Sequence, residues 1–254
     1  MRPNASLVAA AHRPPGRRRA GGRLPPASVV LALLDSFELL FRGRPVSLPR
    51  SVQRVLAFVA LHDRPLDRDY VAGMLWLDAS EGRAHASLRS ALWRLRQPGF
   101  PLVDATTRHL RLAPGVTVDV REATGLAHRL LDRSAEPRGL GDCLPLCHDL
   151  LPDWYDEWVS IERERFRQLR LHALDALCEQ LTAAGRFAFA IEAGMAAVAA
   201  DPLRESAHRR VIEAHLAEGN RGEAMRQYRL CSRLLRDRLG LGPSTELAGL
   251  VQGL

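Results

Sequence analysis

The chain contains no lysine, so all 36 residues counted as Lys or Arg are arginine. This absence excludes enzymes that depend on a lysine amine, such as P-loop nucleotidases, Schiff-base enzymes and hydrolases with a Ser-Lys dyad. The sequence also lacks an HExxH zinc motif and a GxSxG nucleophile elbow. We therefore predict that the protein is not an enzyme and needs no cofactor.

Cysteines and long apolar runs are also scarce. The apolar run at residues 29–34 is too short for a secretory signal or a membrane span. Free thiols are typical of a reducing compartment. We therefore predict a cytoplasmic, nucleoid-associated protein without a membrane partner, whose four cysteines stay reduced: Cys143, Cys147, Cys178 and Cys231.

A short segment with Cys143, Cys147 and His148 raises the alternative of a zinc site. Structural zinc takes four ligands, usually as two closely spaced pairs. The CxxxC spacing here has no second pair elsewhere in the sequence. We therefore predict ordinary thiols and no metal site.

Charge is divided unevenly along the chain. Residues 1–28 carry six Arg and no acid, residues 29–121 have a net charge of +4, and the remainder has a net charge of −3. This asymmetry indicates an N-terminal half that meets a polyanion and a C-terminal half that meets protein. The Arg-, Pro- and Gly-rich residues 1–27 are predicted to be a disordered basic tail, the alternative being a start codon assigned upstream of the folded domain.

Residues 28–121 have the pattern of a winged helix-turn-helix. The pattern predicts three short antiparallel strands, three helices, and a terminal hairpin that would act as the wing. Asp67 is the predicted N-cap of the second helix, which would bury Val71, Met74 and Leu75. The predicted strands are Val29–Leu34, Phe37–Phe41, Pro45–Leu48, Pro101–Asp104, His109–Leu112 and Val116–Val120.

The third helix, from Ser80 to Gln97, is predicted to bury one apolar stripe: Ala84, Leu88, Ala91, Leu92 and Leu95. No carboxylate after Glu81 offsets its arginines. A solvated basic face is one interpretation, and the order of the elements favours a recognition helix in the major groove. The predicted DNA-binding residues on this helix and the wing are Arg83, Arg89, Ser90, Trp93, Arg94, Arg96, Arg108 and Arg111.

Residues 122–254 are predicted to form an all-α domain. A bridging helix from Arg121 to about Leu131 and a linker at Asp132–Gly141 are expected to precede its other helices. A long helix is expected to begin at Pro152-Asp153. An offset of 34 residues relates Gly185 to Gly219, Ala190 to Ala224 and Leu177 to Val211. This offset is the tetratricopeptide (TPR) period, and a non-repeating helical bundle is the alternative. The predicted fold class is mixed, an α+β winged helix-turn-helix followed by a TPR-like helical-repeat domain.

Two segments carry a family resemblance, LLPDWYDEWVSIERERFRQLRLHALDAL and DPLRESAHRRVIEAHLAEGNRGEAMRQYRLCSRLLRDRLGLGPS. They resemble the bacterial transcriptional activation domain (BTAD). Behind a winged helix, this domain is similar to that of the short antibiotic-regulatory-protein (SARP) type activators. The resemblance covers residue 29 to the C-terminus. It implies an activator that binds direct repeats of double-stranded DNA as a homodimer, recruits RNA polymerase holoenzyme and switches on secondary-metabolite genes.

Within the resemblance, Arg89, Arg94 and Arg96 match the family's basic run, whereas Trp93 departs from the small polar or aliphatic residue expected there. Trp93 could pack at the wing junction, meet a thymine methyl group, or block the assumed rotation of the helix. A second function stays open. The chain could be a helical-repeat adaptor whose winged helix binds protein, its basic face masked by the acidic half.

Overall fold

The computed structural model describes residues 29–136 and 139–253, so the predicted basic tail at residues 1–27 lies outside the described residues. Two small sheets and three helices form the first half, and a stack of helices forms the second. The strands are β1 Val29–Ala32, β2 Glu38–Phe41, β3 Arg44–Pro45, β4 Leu66–Asp67, β5 Val103–Ala105, β6 His109–Leu112 and β7 Val116–Val118. The helices are α1 Arg50–Leu61, α2 Arg68–Leu75, α3 Glu81–Leu95, α4 Asp119–Leu131, a 3-10 helix Leu140–Cys147, α5 Glu157–Ala183, α6 Phe187–Ala200, α7 Glu205–Glu218, α8 Arg221–Leu239 and α9 Thr245–Gly249.

The first sheet has the strand order β3-β2-β1-β7. β1 is antiparallel to β2, as predicted, and also pairs in parallel with β7, where Val30 lies opposite Thr117. The third strand is shorter than the predicted Pro45–Leu48. The chain leaves the sheet after Val46, and the Leu48 carbonyl instead accepts a hydrogen bond from Gln53 Nε2 in α1 (2.8 Å).

The second sheet, in the order β4-β6-β5, contains the predicted hairpin. The added strand β4 was not predicted, because it is only two residues long. Its Leu66 lies opposite Leu110. Just after β4, the backbone N–H of Arg68 donates to the Arg108 carbonyl (2.9 Å). The wing is therefore joined directly to the start of α2.

The helices of the first half follow the sequence pattern closely. Asp67 caps α2 by accepting hydrogen bonds from the N–H groups of Asp69 and Tyr70. Met74 is only half-buried in α2, although it was predicted to be buried. The buried residues of α3 are those of the predicted stripe: Ala84, Leu88, Ala91, Leu92 and Leu95.

The long helix α5 begins at Glu157, so the predicted start at Pro152-Asp153 is wrong. The segment before α5 crosses to the first half, where the Leu151 N–H donates to the Leu33 carbonyl (2.9 Å). Its carbonyls are held from the side by Arg163, which donates to the carbonyls of Leu150 (2.8 Å) and Trp154 (2.8 Å). Because these contacts fix the segment in an irregular path, the α-helix starts later.

The second half is a helical repeat, as the 34-residue offset predicts. Gly185 and Gly219 both have left-handed φ angles (70° and 89°), and they lie in the equivalent turns that follow α5 and α7. Ala190 in α6 and Ala224 in α8, the helices that follow these turns, are both fully buried. Small residues at these positions let the paired helices approach closely.

One hydrophobic core runs through both halves. Phe58 of α1 contacts Trp158 of α5 edge-on, with ring centroids 5.1 Å apart. Trp158 makes a second edge contact with Trp154 (6.3 Å). The far end of the helical stack has a separate cluster: Ile212, Ala224, Cys231, Leu235, Leu247 and Val251. The two halves therefore share a hydrophobic core and are not separate units joined only by a linker.

Asp119 fastens the end of β1 to the start of α4. Its carboxylate accepts hydrogen bonds from the N–H groups of Leu33 (2.8 Å), Leu34 (3.2 Å) and Val120 (2.7 Å). We expect Asp119→Ala to lower the free energy of unfolding by about 2–3 kcal/mol, because buried donors lose a charged acceptor. Urea unfolding measures the change. Asp119→Asn retains one acceptor and should lose less, whereas equal stability of the wild type and the alanine variant would contradict this role.

Candidate nucleic-acid interface

The outer face of α3 presents the predicted reading residues to solvent. The buried stripe of α3 packs against α1 and α2, which leaves the opposite side of the helix uncovered. Ala86 and Ser90 are small, exposed residues on that side. Four large residues of α3 and the C-cap residue that follows it are exposed: Arg83, Arg89, Trp93, Arg94 and Arg96.

The positive charge on this face is not compensated within the described part of the chain. The side chains of Arg83, Arg89, Arg94 and Arg96 form no ion pair or hydrogen bond with any residue of 29–136 or 139–253. The first-turn carboxylate of α3, Glu81, lies 3.9 Å from His85 Nε2 rather than next to an arginine. These guanidinium groups are therefore available to phosphates and base edges.

Trp93 is 63% exposed, so its indole is not buried against the wing. The ring shares the outer face of α3 with Arg94 and Ser90. An exposed aromatic ring at this position can contact the methyl group of thymine or a sugar edge. Contact of Trp93 with thymine, and a limit set by Trp93 on how closely α3 approaches a groove, are alternative predictions that DNA-binding measurements distinguish.

The wing is ordered by its turn residue Thr106. The Thr106 hydroxyl accepts from the His109 N–H (2.9 Å), and the Thr106 carbonyl accepts from Arg68 Nη1 (3.0 Å). Arg108 is exposed at the tip. Arg111 Nε lies 3.7 Å from Asp104 Oδ2 across the hairpin, with both side chains about half exposed. Because exposed ion pairs are weak, Arg111 can exchange this partner for a phosphate.

A second basic turn lies between β2 and β3, and the sequence pattern predicted the turn but no functional role for it. Arg42 and Arg44 are exposed on either side of Gly43. Phe41, beside this turn, stacks on Phe100 (ring centroids 4.1 Å apart), which follows α3. The turn is thus fixed near the C-terminal end of α3, and only its Arg-Gly-Arg composition could have indicated a role.

The cysteines have the properties of buried structural thiols. Burial raises the pKa of Cys143 to about 11 and that of Cys178 to about 12. His148 Nδ1 lies 2.6 Å from Asp35 Oδ2. In the part of the chain that the structure describes, no group of three or more His, Cys, Asp or Glu side chains is arranged to hold a metal ion.

The segment that immediately precedes α5 packs on the side of the winged unit formed by α1. Arg54 Nη2 lies 2.6 Å from Asp156 Oδ1, and the Arg50 guanidinium lies 3.6 Å from the ring centroid of Trp154. These contacts join the helical half to α1 while the outer face of α3 stays exposed. Among the described residues, no helix is long and apolar enough to span a membrane.

Comparisons with known proteins agree with this geometry. Residues 145–254 match the family described as Bacterial transcriptional activator domain (BTAD). Regulatory protein AfsR of Streptomyces coelicolor is 30% identical over 196 residues, which cover 70% of this chain and 19% of that protein. The chain therefore spans about a fifth of the length of this curated relative.

A solved structure has a similar fold. The structure of Mycobacterium tuberculosis EmbR in complex with a low affinity phosphopeptide has a TM-score of 0.71 and 24% identity. The match covers 89% of this chain and 64% of that chain. It confirms the predicted fold class of a winged helix followed by a helical repeat.

The matched domain and the curated relative make the chain similar to transcriptional regulators. More specifically, the order of a winged helix followed by this domain is similar to that of the SARP-type regulators. Each match covers more of this chain than the residues matched to the BTAD. The curated relative is named a regulatory protein, and the absence of enzymatic activity in this chain stays a prediction.

Proposed function

We propose that the protein is a sequence-specific activator that binds direct repeats of double-stranded DNA near promoters and recruits RNA polymerase holoenzyme. The observation that carries the proposal is the exposed face of α3, whose arginines have no partner within the described chain. The third helix of a winged unit is the element that enters the major groove in such folds. Two protomers would bind as a homodimer on DNA, in the cytoplasm, at secondary-metabolite genes.

Each part of the interface has a physical role in this proposal. Arg89, Arg94 and Arg96 would donate to guanine edges or phosphates, and the small Ala86 and Ser90 would allow close approach of the helix backbone. Arg108 of the wing would bind phosphate. Phosphate contacts of this kind position the protein, whereas base contacts carry the sequence specificity.

The adaptor hypothesis receives less support from the structure. It requires a basic face masked by the acidic helical half. In the described chain, Arg83, Arg89, Arg94 and Arg96 are all exposed, whereas Asp156 and Trp158 contact Arg54 and Phe58 of α1. We therefore retain DNA binding as the proposed function.

Selection of bound sequences from a random duplex pool by the purified full chain tests the proposal. We expect enrichment of a short sequence repeated in the same orientation at a fixed spacing, because two protomers would read equivalent half-sites. Recovery of no enriched sequence at physiological salt would overturn the proposal. Enrichment of a single, unrepeated site would retain DNA binding and overturn the homodimer.

Single substitutions separate base reading from phosphate binding. We expect Arg94→Ala to lower affinity for the selected site by about 5- to 150-fold with little change for scrambled duplex, since a bidentate Arg–guanine pair contributes about 1–3 kcal/mol. Arg111→Ala should weaken both duplexes alike and reduce the salt slope by about one. Fluorescence anisotropy at several salt concentrations measures both effects. Unchanged specific affinity in both variants would show that α3 and the wing are placed wrongly.

A further inference from the structure

A second basic surface lies on α8, at the far end of the helical stack. Four exposed arginines recur at intervals of three, four and three residues, so they share one side of the helix. We name these residues the α8 stripe: Arg226, Arg229, Arg233 and Arg236. At 1.5 Å per residue the stripe is about 15 Å long.

The stripe concentrates charge in a half of the chain that is otherwise acidic. Residues 122–254 have a net charge of −3, yet α8 carries six Arg against two acids. Arg226 Nη1 pairs with Glu223 Oε1 (2.5 Å). The side chains of Arg229, Arg233 and Arg236 have no ion pair or hydrogen bond with any residue that the structure describes. Most of the positive charge of the stripe is therefore free for a partner.

A groove of about 760 Å³ runs beside the stripe. Leu230, Tyr228 and Pro243 contribute apolar surface to it, and the four arginines form its basic side. His215 also lines the groove, and its buried Nδ1 has no hydrogen-bond partner in the described chain. The site thus combines a row of cations with apolar surface, which together fit an amphipathic ligand.

We propose that the α8 stripe and its groove bind an acidic amphipathic helix of a partner protein. Glutamate or aspartate at intervals of three and four residues along a helix has the same axial spacing as the four arginines, about 4.5 to 6 Å. Such a helix also places apolar side chains beside its acidic row, where they can fill the groove. Charged donors and carboxylates then form charge-assisted hydrogen bonds across the contact.

The alternative polyanion, duplex DNA, matches the site less well. A phosphate backbone supplies charge but has no apolar side chain for Leu230 and Tyr228 to contact. In addition, α8 packs with α7 and α9 around the separate cluster at the end of the stack, whereas α3 belongs to the main core. The α8 stripe is therefore not part of the winged unit for which DNA binding is proposed. The proposal rests on the proposed function in one respect, the assignment of protein contacts to the helical half.

A designed peptide tests the site directly. The probe is a capped, alanine-based helix of about 18 residues with glutamates at the three-four-three spacing and leucines beside them. Its binding to the full chain is measured by fluorescence anisotropy, against a peptide of the same composition in scrambled order. We expect Arg229→Glu with Arg233→Glu to weaken binding of the designed helix at least about tenfold, and Arg229→Gln with Arg233→Gln to weaken it less.

Arg221→Glu with Arg238→Glu is the matched control, since both residues are exposed on α8 but lie off the stripe. We expect this control to change affinity less than about threefold, and the scrambled peptide to bind at least about tenfold more weakly than the designed one. Urea unfolding establishes that the variants remain folded.

The proposal is overturned if the wild type does not bind the designed helix, if the scrambled peptide binds equally well, or if the stripe and control variants behave alike. A tenfold loss of random-duplex affinity in the stripe variant alone would also overturn it, by assigning the stripe to nucleic acid. Because no DNA is present in the peptide assay, its failure beside a successful duplex selection would leave the proposed DNA binding intact.

Discussion

Reversing two charges on the outer face of α3, with Arg89→Glu and Arg94→Glu, is expected to lower affinity for the selected duplex by at least about a thousandfold. Each guanidinium lost from a base or phosphate removes about 1–3 kcal/mol, and each introduced carboxylate repels the phosphates. Because both arginines lack partners within the described chain, their replacement breaks no internal contact. The free energy of unfolding should therefore change by less than about 0.5 kcal/mol.

Long-range electrostatics must be separated from local contact in this experiment. Arg221→Glu with Arg238→Glu lowers the net charge of the chain by the same amount, on a helix outside the winged unit. We expect this control to reduce affinity less than about fivefold at physiological salt, where distant charges are screened. Equal losses in the two double variants, measured by titration of labelled duplex, would show that α3 does not contact DNA.

The local features of α3 could be predicted because they depend on neighbours in sequence. The helical period places Leu88, Leu92 and Leu95 on one side, and all three are buried in the structure. The Pro98-Gly99 pair follows the helix and prevents its continuation. Exposure of the arginines then follows from burial of the opposite stripe, without knowledge of the rest of the fold.

The junction between the halves could not be predicted, because its contacts join residues far apart in sequence. The bridge between Leu34 and Leu150 crosses the junction and depends on the finished core, as does the parallel pairing of β1 with β7 within the first half. The late start of α5 depends on Arg163, whose guanidinium binds carbonyls of the preceding segment. The predicted division into residues 28–121 and 122–254 stays a prediction. The helix α4 begins at Asp119, two residues before its predicted start at Arg121 and inside residues 28–121.

The candidate site shows the same division between local and distant information. The arginines of α3 and the wing were identified from spacing and element order, and their contacts with DNA stay predictions. No role in the site was predicted for the turn at Arg42 and Arg44, because only the stacking of Phe41 on Phe100 brings this turn near α3. The helical period placed Trp93 on the face opposite the buried stripe, with packing at the wing junction left as an alternative, and the ring is 63% exposed.

Removal of the aromatic ring at the junction, with Phe58→Ala, is expected to lower the free energy of unfolding by about 3–5 kcal/mol. Phe58 is 1% exposed and contacts the rings of His62 (centroids 4.6 Å apart), Tyr70 (5.9 Å) and Trp158 (5.1 Å). It therefore connects α1 with α2 and α5. Truncation leaves a cavity between the halves that these surrounding rings cannot fill.

The same variant tests whether the halves unfold together. Because one core spans them, we expect urea to produce a single transition that is coincident by tryptophan fluorescence and by far-ultraviolet circular dichroism, shifted to lower urea in Phe58→Ala. Phe189→Ala is the control, since Phe189 is 44% exposed on α6 and should lose less than about 1.5 kcal/mol. Two separated transitions, with helical signal retained after the winged unit has melted, would contradict the shared core. A single transition would mean that any protein bound to the helical half also stabilises the winged unit, by mass action on one folded state.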